Sequence, residues 1–140
     1  MVLLATDAFK KYQVATGATN SSTPLFTITS EQFGNLKPLN FLINGVCYRL
    51  SHFYHIADID VQETFTLSPN AQIWPRALNT VIGGEADKIY LIVQDSGSKS
   101  GSGLDFTNGL TFLERFYTVY DTANKRVGFA TTPYTEATTN

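Results

Sequence analysis

Apolar positions recur along this chain with two different periods, and the change of period marks most of its elements. Near the start, Phe9, Tyr12 and the Ala8/Ala15 pair repeat at helical spacing. Thr6-Asp7 ahead of them reads as an N-cap, and Gly17 ends the turn. After the polar stretch TGATNSSTP (16–24), LFTIT (25–29) predicts a strand by its β-branched and aromatic content, and SEQFGNL (30–36) a short helical turn. NFLIN (40–44), ETFTL (63–67), KIYLIVQ (88–94) and FYTVYD (116–121) read as further strands, with RVGFA (126–130) as the last. The polar TANK (122–125) joins the final two as a hairpin. GLTFLERF (109–116) is helical in pattern, with Leu110, Leu113 and the phenylalanines on one side, and the adjoining pair Glu114-Arg115 reads as a solvated helix face. DSGSKSGSG (95–103) reads as a flexible loop, and the Thr-rich tail TTPYTEATTN (131–140) as a fraying end.

That pattern describes one mostly β domain with two or three short helices and no repeat or linker. A length of 140 residues suffices for a single core without staples. The 16% of charged residues and net charge of −2 offer no basic patch, so a nucleic-acid partner has no electrostatic footing. No apolar run approaches a membrane span, and the short MVLL is too brief for a signal-peptide core. Asn20-Ser21-Ser22 is a glycosylation sequon, which matters only in a secreted chain.

One stretch, GVCYRLSHFYHIADIDVQ (45–62), gathers the only cysteine, Cys47, and both histidines, His52 and His55. A structural zinc site normally closes with four ligands, and only Asp58 or Asp60 could complete this set. No metal and no cofactor is therefore assigned from the residues.

The segment GLTFLERFYTVYDTANKRVGFA (109–130) is far more specific. Gly109, Tyr117, Val119, Tyr120, Asp121, Asn124, Arg126, Val127, Gly128, Phe129 and Ala130 stand in the order seen at the C-terminal end of pepsin-like aspartic proteases. SPNAQIWPRALNTVIGG (68–84), IYLIVQD (89–95) and SGLDFTNGLTFLERF (102–116) resemble the acid proteases of wood-rotting fungi, and LLATDAFKKYQ (3–13) resembles the helix after that family's second catalytic motif. The resemblance spans roughly 2–45 and 63–140. It implies an incomplete C-terminal lobe of the pepsin-like fold, from a secreted endopeptidase acting on peptides or proteins at acid pH. It also implies an N-terminal lobe of the same protein as partner, with no nucleic acid and no membrane.

In such enzymes each of two lobes supplies one aspartate from an Asp-(Thr/Ser)-Gly turn, and the two carboxylates share a proton. The ionised one activates water while the protonated one acts as acid. The family carries Asp-Thr-Gly-Thr-Thr just before the helix, where this chain has Met1-Val2-Leu3-Leu4. The chain thus reads as a fragment lacking both motifs, inactive alone, with Met1 a start assigned inside a longer frame. The alternative is a non-enzymatic β-rich binding protein derived from a protease lobe. Asp95-Ser96-Gly97-Ser98 mimics the catalytic tetrad, but Gln94 breaks the pattern before it and Asp95 lies only 14 residues ahead of Gly109. Asp95 is a decoy. Thr107 falls where the resemblance implies a cleft lining and substrate contact. Gly109, Asp121, Asn124 and Gly128 are assigned structural roles, with close backbone approach at Gly109 and a turn carboxylate at Asp121.

Residues 46–62 interrupt the resemblance. Without them FLING (41–45) runs directly into ETFTLSPNAQIWPR (63–76), as in the fungal relatives. Val-Cys, Ala-Asp and the final Gln can be encoded by an intron's opening, branch point and acceptor, so the stretch reads as a translated intron or as a loop insertion.

Overall fold

The computed structural model describes residues 1–45 and 61–139. Strands dominate, with short helices between them. In chain order they are β1 (Val2–Leu4), α1 (Thr6–Thr16), β2 (Thr27–Ile28), α2 (Ser30–Gly34), β3 (Leu39–Gly45), β4 (Val61–Leu67), β5 (Ile89–Tyr90), β6 (Val93–Asp95), β7 (Phe106–Asn108), α3 (Leu110–Leu113), β8 (Phe116–Asp121) and β9 (Arg126–Thr131). Two 3-10 segments, Pro69–Gln72 and Arg76–Ile82, carry the chain from β4 to β5.

The run KIYLIVQ, expected as one strand, divides into β5 and β6 because its partners change along its length. Ile89 and Tyr90 pair antiparallel with β2, and Val93 to Asp95 pair parallel with β1. Between them, the Leu91 amide donates to the Phe26 carbonyl at 2.8 Å and the Ile92 amide to the Gln72 carbonyl at 2.9 Å. Flanked on both sides, all five residues from Ile89 to Val93 are buried. An uninterrupted apolar run is the pattern of a segment covered on both faces.

Phenylalanines build the larger core. Phe41 of β3 stands opposite Phe65 of β4. Phe65 meets Phe112, Phe116 and Phe129 at ring separations of 5.2–6.4 Å, and Phe112 lies 4.6 Å from Phe116. Val2, Leu4, Phe9, Leu67 and Ile92 complete this cluster. Each fully buried ring of this kind contributes about 1.5–3 kcal/mol of burial energy. A smaller cluster of Ala18, Ile28, Leu36, Ile73, Ile89 and Leu91 fills the space under α2.

Several local expectations need correction. The N-cap of α1 is Ala5, with no side-chain cap; the Thr6 hydroxyl instead donates to Asp95 at the end of β6, and Asp7 accepts from Ser100 in the loop that follows. Gly17 does close the helix in the left-handed region, at φ 67°. Helix α3 stops at Leu113, so Phe116 opens β8; Phe112 and Phe116 are buried, whereas Leu110 and Leu113 face outward. The helix spans a single turn, so its two leucines cannot share the face taken by Phe112. Glu114-Arg115 is not a solvated pair, because Arg115 is only 4% exposed. Its guanidinium donates to the carbonyls of Tyr134 (3.1 Å) and Ala137 (2.6 Å). Thr132 and Thr135 hydroxyls donate back to the Arg115 carbonyl at 3.1 and 2.6 Å. The tail is therefore fastened by these bonds rather than frayed.

Candidate functional site

Asp95, Thr107 and Gly109 gather at one small sheet, ordered β6-β1-β7, while Asp121, Asn124 and Gly128 lie on the separate β8–β9 hairpin. β1 runs parallel to β6, pairing Leu4 with Asp95, and antiparallel to β7, pairing Leu3 with Thr107 and Val2 with Asn108. Asp95 and Thr107 thus stand on opposite sides of β1. Gly109 lies just beyond the Met1 end of that strand, and Asp95 at the Leu4 end.

Asp95 is exposed and committed to local bonds. Its Oδ1 accepts the Gly97 amide at 2.8 Å and the Thr6 hydroxyl at 2.7 Å. The Gly97 amide, then the Thr6 hydroxyl, and to a smaller extent the charge of Lys10, hold its pKa below the ordinary 3.8. The proton-sharing pair of an acid protease needs two carboxylates whose mutual repulsion raises one of them. Among the described residues, no second carboxylate contributes to the shift at Asp95. Its chemistry is that of an Asx turn that also ties the start of α1.

The loop that follows, expected to be flexible, is laced by its own serines. Ser96 and Ser98 hydroxyls meet at 2.6 Å, and Ser98 donates to the Leu104 carbonyl at 2.9 Å. Ser100 donates both its hydroxyl (2.7 Å) and its amide (3.2 Å) to Asp7, lowering the Asp7 pKa. Gly and Ser enrichment signals an open chain, but serine hydroxyls also find neighbouring carbonyls when the ends are held.

Thr107 is exposed at the middle of β7. At Gly109 the amide donates to the Met1 carbonyl at 3.2 Å, and a Cβ there would meet that oxygen at 2.5 Å. Close backbone passage is the physical content of this glycine.

In the β8–β9 hairpin, Asp121 accepts from the Asn124 amide (3.2 Å), the Asn124 side chain (2.8 Å) and Arg126 Nε (2.8 Å). Asn124, and secondarily Arg126, hold the Asp121 pKa below 3.8. Gly128 pairs with Val119, and a Cβ on it would come no closer than 4.0 Å to the Val119 side chain. Contacts among the described residues do not require a glycine there. Gly128 lies on the outward face of the hairpin with Tyr117, Val119 and Ala130, and these line a shallow apolar depression. Tyr117 is 60% exposed, and β8 and β9 pair only with each other among the described residues.

Two polar anchors escaped the sequence reading. Arg115 is one. The other is Gln72, fully buried, whose Nε2 donates to the carbonyls of Lys37 (2.9 Å) and Leu67 (3.2 Å) while its Oε1 accepts from the Tyr12 hydroxyl at 3.0 Å. Burial pushes the Tyr12 phenol well up. A glutamine inside the otherwise apolar AQIW, and an arginine next to Phe116, were the available signals.

Cys47, His52, His55, Asp58 and Asp60 lie outside the described residues, as does the stretch 46–60 of the supposed insertion. Val61 and Gln62 open β4, opposite Gly45 and Asn44. Among the described residues, no three His, Cys, Asp or Glu side chains stand together as a metal site.

No family model matches the chain. Individual proteins do. It is 54% identical to polyporopepsin of Irpex lacteus over 141 aligned positions, covering all of this chain and 36% of that protein. Human gastricsin is 32% identical over 117 positions, covering 84% of this chain and 24% of the relative. The crystal structure of aspartic proteinase from Irpex lacteus superposes with a TM-score of 0.85, again over the whole chain and 36% of that structure. The chain thus spans 36% of the length of the fungal relative. Along its 140 residues, and in the course of its strands, it belongs to the pepsin-like aspartic protease family, as part of one lobe.

Proposed function

We propose that these 140 residues form the C-terminal lobe portion of a secreted acid endopeptidase, and that the reacting carboxylates come from outside them. The observation that carries this reading is the state of Asp95. It belongs to the only Asp-(Thr/Ser)-Gly in the sequence, yet its carboxylate serves Thr6 and Gly97, which hold its pKa below the ordinary value. On this reading β1, β6 and β7 are scaffold beneath a cleft, Thr107 faces the substrate peptide, and the outward hairpin face of Tyr117 and Val119 receives the rest of the protein. A two-stranded sheet that pairs with no other strand among the described residues and exposes apolar side chains fits a surface that is normally covered.

The test is complementation. The isolated chain is assayed at acid pH on a protein substrate, with and without pepstatin, then mixed with the part of polyporopepsin to which it has no counterpart. No activity alone and pepstatin-sensitive activity in the mixture supports the reading. Pepstatin-sensitive cleavage by the chain alone, abolished by Asp95→Asn, overturns it.

A second reading, a non-enzymatic β-rich binding protein, draws on the same exposed hairpin, where Tyr117, Val119, Tyr120 and Val127 are all open to solvent. It predicts that the mixture stays inactive while the hairpin face captures a peptide or protein ligand.

A further inference from the structure

We propose that Asn20 is an acceptor for an N-linked glycan, an inference that rests on the secretory reading above. Asn20-Ser21-Ser22 is the only Asn-x-Ser/Thr sequence in the chain with x other than proline. Sequence alone makes it a pattern; the structure makes it accessible. α1 ends at Gly17, and the chain then closes a loop through Thr19 and Thr27, whose amides and carbonyls exchange bonds at 3.0 and 2.9 Å. Asn20 and Ser22 sit on that loop, both exposed, and neither side chain makes a hydrogen bond among the described residues.

Ser21 behaves differently. Its hydroxyl donates to the Leu25 carbonyl at 2.7 Å and accepts the Thr23 amide at 3.0 Å, so it holds the loop from within. The middle residue of the triplet thus supports the turn, while the outer two remain available to an enzyme. The reaction needs both of them free: the acceptor amide must leave its local partners, and the hydroxyl two residues on must be able to reach it.

In the transfer, the Asn20 Nδ2 forms a bond to the anomeric carbon of a lipid-diphosphate-linked oligosaccharide. The bond from that carbon to the diphosphate breaks, the lipid diphosphate departs with the electron pair, and the amide loses one proton. The glycan would stand at the far end of α1 from Thr6 and Asp95. A helix of 11 residues separates them by about 16 Å.

The full chain is directed into the yeast secretory lumen by a cleavable leader, and its peptides are analysed by mass spectrometry before and after peptide-N-glycosidase treatment. The assignment requires a glycopeptide containing Asn20, lost completely in Asn20→Gln and in Ser22→Ala, and retained in Ser22→Thr. A chain with its leader removed and Asn20 unmodified overturns it. The protein from its natural source is then fractionated. Glycan at Asn20 of the directed chain, with the natural protein only inside cells, supports the acceptor assignment and sinks the secretory reading instead.

Discussion

The Met1 carbonyl oxygen occupies the space that a Cβ on Gly109 would need: the two would lie 2.5 Å apart. The same oxygen accepts the Gly109 amide at 3.2 Å, so neither strand can retreat without losing that bond. Gly109→Ala therefore destabilises the chain by about 1–3 kcal/mol, the usual cost of forcing atoms into a packed site. Urea denaturation of the two proteins, compared at equal slope, measures it; a neutral result would mean that β1 and the start of α3 can separate freely.

Arg115 fastens the tail through bonds to the carbonyls of Tyr134 and Ala137. Hydrogen bonds from a charged donor contribute about 1.5–3 kcal/mol. Arg115→Met keeps much of the apolar stem and removes both bonds. The predicted outcome is faster proteolysis within residues 132–139 and a lower midpoint of unfolding, while near-ultraviolet circular dichroism of the phenylalanine core changes little.

The carboxyls of Asp7, Asp95 and Asp121 all have depressed pKa values, through Ser100, Gly97 and Asn124 respectively. A carboxylate of this kind adds stability above its unfolded pKa, and that stability is lost as pH falls from about 3.8 through the lower folded value. All three work in the same direction, so Tm is predicted to fall with acidification below pH 3.8. Asp121→Asn should flatten part of that fall and lower Tm at neutral pH. Because the three groups are exposed, added salt should shrink the effect. Tm against pH for the parent and the variant, at two salt concentrations, checks each sign.

How much was legible beforehand depended on whether a residue's partners are near in sequence. The hairpin of β8 and β9 was readable from FYTVYD-TANK-RVGFA, because its register depends on local turn chemistry. The strand character of β3 and β4 was readable from alternation, and the left-handed Gly17 from its place after α1. β1 was not: MVLL reads only as too short for a signal-peptide core, since its strand partners Val93 and Asn108 lie far along the chain. Arg115 and Gln72 escaped for the same reason, each bonding carbonyls that periodicity cannot bring together. Serine enrichment in 95–103 misled because composition records solvation but not the hydroxyl-to-carbonyl bonds that tie the loop. The family resemblance was the stronger guide, and it rested on spaced identities around Gly109 and Asp121 rather than on period.

Gly128 offers a test of what covers the hairpin. With no atom of the described residues beyond its chain neighbours closer than 4.0 Å to its would-be Cβ, Gly128→Ala leaves the isolated chain equally stable, or raises stability by about 0.4–1 kcal/mol through the unfolded state. If the outward face docks against the rest of a protease, the same methyl group should weaken complementation with the polyporopepsin part. Equal stability with reduced complementation is the predicted pair of results, measured by denaturation and by acid-pH activity of the mixture.

The placement of β1 also sets a timetable for folding. Val2 is made well before both of its partners, Val93 on one side and Asn108 on the other. At about 5–20 residues per second, a ribosome takes roughly 5–20 s to make those partners after Val2 itself has emerged. During that interval the antiparallel pair of β3 and β4, closer in sequence, can form while β1 waits unpaired. Closing so distant a pairing is entropically slow. β1 can take its place only after the two strands that flank it have been made, and slowing or speeding translation between codons 93 and 108 would change how long it is exposed to other chains.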